Sequence, residues 1–310
     1  IESAVLEEKH AAVLGMMETF LGVTPRHCRY LYIWRPAYDT LSVLVPNLFD
    51  VPFCDFGVGP IDGGLRGLVA YVASRSYGCS YCSAHCAGLG TVWRGHNVYL
   101  SLTAKAMMPV PDPAVFDAKE LAAIKIGKKL GAIPSKITSG DIRAMAAVYT
   151  AKEQECVINA ATLMGFLNRF MDTIGMTLEL EPLETSVEHL AESGWTPGVS
   201  YEPEADAELI EEDREEARKR EEREKAKRCG GLVYLKMLVS AKMEDSANLK
   251  GLPTSEKKVK QACTGLAGFA PYYLCGGRRM KQDNARNAFV WAFTRHLCQG
   301  SEEVPVGVKQ

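Results

Sequence analysis

Residues 71–90, YVASRSYGCSYCSAHCAGLG, are the stretch that decides the fold we expect for this chain. Apolar residues recur at helical spacing up to and into this stretch, which predicts an amphipathic helix: Leu65, Leu68, Val69 and Val72. Gly78 is expected to end that helix, because glycine adopts the left-handed conformation of a helix C-terminus without a Cβ clash. A second helix is then expected from about Cys79 to about Trp93.

The start of this second helix carries the chemistry. Cys79 and Cys82 form a C-x-x-C pair, and His85 and Cys86 follow one turn further on. Residues three apart lie on the same side of a helix, so the two thiols of the pair are expected to be neighbours. Free backbone N–H groups at a helix start stabilise a thiolate. The pattern therefore indicates a redox dithiol, with Cα atoms about 5–6 Å apart.

Two other interpretations of these cysteines stay open. A structural zinc site is one, but the chain has no second C-x-x-C pair, and four ligands within eight residues of one helix do not easily surround a tetrahedral ion. The other is a pair of buried core cysteines with no redox or metal-binding role. The redox dithiol is favoured, and we therefore expect neither a metal ion nor a cofactor.

Composition excludes several classes of protein. Among 310 residues 47% are hydrophobic, enough for a substantial core, and a net charge of −2 gives no reason to expect nucleic acid or an anionic membrane as partner. No apolar run is long enough to span a bilayer. Ten cysteines in a long, helix-rich chain favour a reducing, intracellular compartment over a secreted disulfide scaffold. Because the first residue is Ile1, we expect a removed presequence or a fragment, with an organelle matrix (mitochondrion or plastid) as an alternative location.

The predicted class is all-α, because no segment shows sustained period-two alternation. A near capping box opens a helix at Asp117, and a long patterned helix is expected over 152–176. We place a helical domain at 1–181, a loop and charged linker helix at 182–228, and a helical C-terminal extension at 229–310. Residues 203–228 are expected to form one exposed helix, with a partner-binding arm or disorder as alternatives.

Two segments resemble the AhpD-like alkylhydroperoxidases of the carboxymuconolactone decarboxylase superfamily, in particular the peroxidase-related branch. One is C-x-Y-C-x-x-H at 79–85 with the helix before it, and the other is F-x-N-R-x-x-D-x-x-G at 166–175. The resemblance covers about 30–181 and implies an all-helical, AhpD-like fold in homo-oligomers. It also implies a peroxidatic Cys82, a resolving Cys79, a hydroperoxide substrate, and a dithiol such as lipoamide or a thioredoxin-like protein as reductant.

The sequence departs from the family pattern at two positions that handle protons. Gly67 stands where the family has a glutamate, about twelve residues before the first cysteine, and Cys86 stands where it has the relay histidine. His85 is one residue early, which rotates its side chain by about 100° around the helix and predicts a poorer reach to the thiols. It is a candidate base, with a structural histidine as the alternative. Cys86 is expected in the core, with an extra redox thiol as the alternative.

The function that these patterns favour is a thiol-dependent peroxidase or disulfide reductase. The rival hypothesis is a catalytically degenerate AhpD-like fold that serves as a structural or assembly subunit of a larger complex. A decarboxylase is disfavoured, because proton abstraction from carbon calls for a clear carboxylate or histidine base. Asn168 and Asp172, one turn apart, are expected to be structural, with a pocket lining or a subunit contact as alternatives.

Overall fold

The computed structural model of this protein describes residues 23–28, 30, 45, 48–49, 59–89 and 95–226. The described residues from 48 onward belong to one compact unit, Leu48–Lys227. The regular elements in these ranges are all helical, which confirms the predicted all-α class. The expected helix over 3–21 and the expected C-terminal extension at 229–310 lie outside the described residues.

Eight α-helices and one short 3₁₀ helix follow one another in the described part of the chain. They are α1 Gly63–Tyr77, α2 Ser80–Gly88, α3 His96–Ala106, α4 Ala118–Gly131, α5 Ser139–Ala146, α6 Ala151–Thr173, α7 Leu180–Leu190, the 3₁₀ helix Ala191–Ser193, and α8 Ala207–Ala226.

Local capping explains why these helices begin and end where they do. The Asp62 side chain accepts a hydrogen bond from the Leu65 N–H at 2.8 Å and starts α1, and Gly78 ends it in the left-handed conformation at φ +102°, as predicted. Capping boxes open three later helices, at Asp117/Glu120, Thr138/Asp141 and Thr150/Glu153. The first of these confirms the motif seen in the sequence.

Helix α1 lies at the centre of the unit and packs against α2, α3, α4 and α6. Nearly all of its side chains are buried. The contact with α4 is especially close at Gly131, where a Cβ would lie 2.2 Å from the Ala73 carbonyl oxygen. Only glycine allows the two backbones to approach this far. Helix α1 is therefore the buried, closely packed element against which α2 lies.

The charged helix α8 is largely exposed over 207–219, as the sequence predicted, but it begins at Ala207 and not at 203. Leu209 and Ile210 are only partly buried, so neither lies inside a continuous core. Helix α8 is anchored at Asp213, whose carboxylate accepts a hydrogen bond from the Leu180 N–H at 2.8 Å. This contact satisfies a free N–H group at the start of α7. In the described part of the chain no helix is both long and apolar enough to cross a membrane.

Two details differ from the sequence-based expectation. Helix α2 ends at Gly88, several residues before the predicted end near Trp93. The region after 182 was expected to be a loop ahead of the charged helix, but Leu180–Leu190 form the regular helix α7. Helix α7 packs against α2 and α3, and its first turn is stabilised partly by the distant Asp213, a contact that no local pattern reveals.

Candidate active site

The C-x-x-C pair lies at the junction of α1 and α2. Cys79 is the N-cap residue of α2, with an extended backbone, and its Sγ accepts a hydrogen bond from the Cys82 N–H at 3.5 Å. The structure therefore brings both cysteines together on the first turn of one helix. Both are free thiols and both are buried, with 0% of Cys79 and 5% of Cys82 exposed. The predicted Cα separation stays a prediction.

The two thiols occupy different electrostatic positions. Burial raises the pKa of the Cys82 thiol well above its usual range, and a hydrogen bond to Cys79 raises it further. Charge on Cys79, on Cys86 and on the exposed Asp172 acts in the same direction. Cys82 therefore keeps its proton at neutral pH. The Cys79 sulfur instead occupies the position at which a helix N-terminus favours an anion.

Cys86 lies one turn beyond Cys82, in contact with α6. Its Sγ is 3.9 Å from the Met164 Sδ, and only 3% of the residue is exposed. Burial raises the pKa of the Cys86 thiol to about 12, and the Ser74 hydroxyl beside it offsets this in part without forming a well-directed hydrogen bond. These surroundings favour the interpretation of Cys86 as a core residue.

His85 projects from a different side of α2 and binds a carboxylate. Its Nε2 lies 2.8 Å from Glu179 Oε2, and the Tyr81 hydroxyl donates to Glu179 Oε1 at 3.0 Å. The Tyr81 and His85 rings also touch edge to face, with centroids 4.7 Å apart. All three side chains are buried. Because a carboxylate only accepts, His85 donates through Nε2, and we call this group the Tyr81–Glu179–His85 cluster.

The other ring nitrogen of His85, Nδ1, is the atom that could transfer a proton. Its Nδ1 is buried and has no hydrogen-bond partner among the described residues. A histidine held by a carboxylate at one nitrogen is fixed in orientation, and its other nitrogen can take up or release a proton. None of the described contacts joins His85 to either thiol of the pair.

Glu179 is a site residue that the sequence did not identify. The family resemblance implies a carboxylate at the position of Gly67, which lies buried in the middle of α1. Glu179 instead reaches His85 from the N-cap position of α7, across 94 residues of sequence. The local signal, an acidic residue just before a helix with Pro182 in its first turn, predicts a helix start but not this contact.

Residues 179–198 form what we call the covering segment, because they pack over the outer side of α2. The Trp195 Nε1–H donates to the Ser83 Oγ at 3.0 Å, and that hydroxyl donates in turn to the Ser80 carbonyl at 3.0 Å. At Gly198, with φ +91°, a Cβ would lie 3.1 Å from the Ser80 Oγ. The Arg75 guanidinium donates to the Ser193 carbonyl at 3.1 Å. The segment is thus fixed to both α1 and α2.

The described residues contain no group of three or more histidine, cysteine, aspartate or glutamate side chains arranged to hold a metal ion. The cysteines of α2 lie toward α1 and α6, whereas His85 turns to Glu179. The four candidate ligands, which the sequence places within about two helical turns, therefore do not converge on one point.

Comparison with known proteins identifies a structural neighbour. No protein family matches the chain, and no curated protein matches it. The apo crystal structure of the debrominase Bmp8 aligns with a TM-score of 0.51 at 18% identity, over 59% of this chain and 93% of that chain. A cysteine-to-alanine variant of Bmp8 in complex with 2,3,4-tribromopyrrole aligns with a TM-score of 0.52 at 17% identity, over 61% and 94%. At this identity the chain is similar to Bmp8 in fold.

Proposed function

We propose that this protein is a thiol-dependent oxidoreductase in which Cys79 and Cys82 cycle between a dithiol and a disulfide. The observation that carries the proposal is the hydrogen bond from the Cys82 N–H to the Cys79 sulfur at the start of α2. It places two free thiols on one helical turn, with one of them at the helix N-terminus. The resemblance to the AhpD-like family and the fold shared with Bmp8 are compatible with thiol chemistry.

The substrate we favour is a hydroperoxide. A cysteine thiolate attacks the terminal oxygen, the O–O bond breaks, and the products are a cysteine sulfenic acid and an alcohol once the leaving oxygen takes a proton. The second thiol then attacks the sulfenic sulfur, which releases water and forms the disulfide. A small dithiol or a thioredoxin-like protein restores both thiols by exchange and leaves as its own disulfide.

The geometry favours Cys79 as the attacking thiolate. Its sulfur receives the N–H hydrogen bond at the helix start, which stabilises negative charge. The raised pKa of Cys82 keeps that thiol protonated, so it suits the later, resolving step. The family resemblance implies the opposite assignment, with Cys82 peroxidatic and Cys79 resolving. Both orders use the same pair of atoms, and single-turnover experiments distinguish them.

The Tyr81–Glu179–His85 cluster supplies the proton transfer in this proposal. Glu179 orients His85 through Nε2 and leaves Nδ1 able to exchange a proton. The cluster thereby provides, from α7, the carboxylate that Gly67 cannot provide from α1. A buried carboxylate also stabilises the imidazolium that forms when His85 takes up a proton.

The rival function is that of a structural or assembly subunit. The burial of both thiols favours it, because a catalytic thiol has to meet its substrate. The raised pKa of Cys82 favours it too, since a structural cysteine is inert. The predicted homo-oligomer or larger complex is compatible with either function and is tested by light scattering of the purified chain.

The test is stopped-flow reduction of tert-butyl hydroperoxide with dihydrolipoamide as reductant. We expect the wild-type protein to exceed the rate of dihydrolipoamide alone, and the double variant Cys79→Ser/Cys82→Ser to lose that excess. Cys156→Ser is the matched control, because Cys156 is another buried free thiol of the same unit. 2,3,4-Tribromopyrrole serves as a second electrophile in the same assay. A wild-type rate equal to that of free dihydrolipoamide with both compounds would decide for the structural function.

A further inference from the structure

Asn168 is a fully buried side chain whose carboxamide makes no hydrogen bond to the described part of the chain. It lies in the second half of α6 and is 0% exposed. Neither its Oδ1 nor its Nδ2 has a hydrogen-bond partner among the described residues. A buried amide without partners is unfavourable, because its groups have given up hydrogen bonds to water and gained none. Such a residue calls for an explanation.

The position of Asn168 relates it to the thiols. One turn before it on α6, Met164 contacts the Cys86 sulfur at 3.9 Å. One turn after it, the Asp172 carboxylate is close enough to influence the Cys82 thiol. Residues four apart lie on the same side of a helix, so Asn168 lies on the side of α6 that carries Met164, whose sulfur contacts Cys86. The buried carboxamide of Asn168 is therefore on the side of α6 that packs toward the cysteines of α2.

The alternatives for Asn168 make different demands on the protein. A structural amide would be expected to bond neighbouring backbone or side-chain groups, as the buried Ser83 does with Trp195. A core position with no polar task would be better filled by leucine, whose heavy atoms branch in the same pattern. Residues that break the rules of core packing occur characteristically at functional sites, where a ligand supplies the missing partners.

We propose that the Asn168 carboxamide binds the peroxide group of the substrate beside the Cys79–Cys82 pair. This inference rests on the proposed function and narrows its substrate class. A hydroperoxide carries an O–H donor and two oxygen acceptors on adjacent atoms, which match the Oδ1 acceptor and the Nδ2 donors of a carboxamide. A disulfide has no donor and only weakly accepting sulfurs, so it would leave the amide unpaired.

The role in the reaction follows from this pairing. The N–H groups of Asn168 hydrogen-bond the oxygen that leaves as the O–O bond breaks and stabilise the charge that develops on it. The Oδ1 atom accepts the O–H of the bound hydroperoxide and fixes the orientation of the bond under attack. Asn168 therefore gives the dithiol a preference for hydroperoxides over disulfides as substrates.

The experiment compares Asn168→Leu with wild type on two electrophiles. We expect kcat/KM for tert-butyl hydroperoxide to fall by about 100- to 1,000-fold, as loss of one hydrogen-bond donor to a developing negative charge does. The rate with 5,5′-dithiobis(2-nitrobenzoate), a disulfide, is expected to stay within about twofold of wild type. The melting temperature should rise, since an unpaired buried amide has been removed. Asn159→Leu, a half-buried asparagine of the same helix, is the matched control and should leave both rates unchanged.

Each result bears on the inference. Equal loss of both rates, or loss of neither, would overturn it and leave the dithiol chemistry standing. Asn168→Ser, which keeps one hydrogen-bonding group, is expected to retain an intermediate hydroperoxide rate and covers the case in which Asn168→Leu does not fold. Absence of hydroperoxide turnover in the wild type, with the disulfide rate intact, would remove both this inference and the hydroperoxide branch of the proposed function.

Discussion

The two sides of helix α2 differ in the side chains they carry and in the segments they contact. The inner side carries the three cysteines and packs against α1 and α6 in a largely apolar setting. The outer side carries Tyr81, Ser83 and His85, and each of these bonds a residue of the covering segment, 179–198. The thiols thus belong to a local helical pattern, whereas their proton-handling neighbours depend on chain that lies about a hundred residues away.

This contrast divides the proposed chemistry between two environments. The apolar inner side keeps Cys82 and Cys86 protonated, because burial disfavours a charged thiolate. The polar outer side holds a carboxylate and an imidazole in a fixed geometry. Burial therefore opposes ionisation of Cys82 and Cys86 on the inner side, whereas the outer side holds the groups proposed to transfer protons.

The largest effect is expected from single replacements of the thiols. Cys82→Ser should complete one oxidation at Cys79 and then stop, because the sulfenic acid lacks its resolving partner. Cys79→Ser should show no fast oxidation at all. Rapid-quench mass spectrometry with a sulfenic-acid trap identifies the oxidised residue. The reverse pattern, a trapped sulfenic acid on Cys82, would establish the order implied by the family resemblance.

A smaller loss is expected when the outer side is altered at Glu179. Glu179→Gln keeps the shape of the side chain but removes the charge that orients His85 and stabilises its cation. We expect kcat to fall by about 10²-fold at most, the lower end of the usual range for general acid–base catalysis. His85→Gln should cost a similar factor and add little to Glu179→Gln, because the two act as one unit. Glu188→Gln, an exposed position of α7, is the control. Strictly additive losses in kcat would show that Glu179 and His85 act independently.

The inner side predicts a pH dependence of stability. The pKa of Cys86 is about 12 in the folded protein, above its ordinary value of 9.0, so the folded state retains a proton that the unfolded state loses. Its contribution to stability is complete below pH 9 and is lost as pH rises toward 12. In urea titrations between pH 9 and 10.5, Cys86→Ala should flatten the decline by up to about 1.4 kcal/mol per pH unit. An unchanged slope would show that Cys86 is not buried as described.

The smallest effect concerns the hydrogen bond that fixes the covering segment. Trp195→Phe removes the donor to Ser83 and keeps an aromatic ring in a buried position. We expect a loss of about 1 kcal/mol of unfolding free energy, the net value of one such bond. A double-mutant cycle with Ser83→Ala isolates the interaction from the change in packing. A coupling energy near zero would mean that the covering segment is held by other contacts.

Local patterns in the sequence predicted a good part of this unit. The break at Gly78, the capping box at Asp117 and the exposed charged helix were all predicted correctly, since each depends on residues within a few positions of one another. Helix α7 was missed, because part of its stabilisation comes from Asp213. Asn168 was expected to be structural. The burial of its carboxamide without hydrogen-bond partners among the described residues is what points to a binding role.

The sequence by itself determined the spacing of Cys79 and Cys82, because helix geometry makes residues three apart neighbours in any surroundings. It also determined where α1 ends, because glycine alone enters the left-handed conformation without strain. Only the tertiary structure decided that Glu179 lies beside His85, and that burial raises the pKa of Cys82. Both depend on which distant segments pack together, and that is settled by the burial of the whole unit rather than by neighbouring residues.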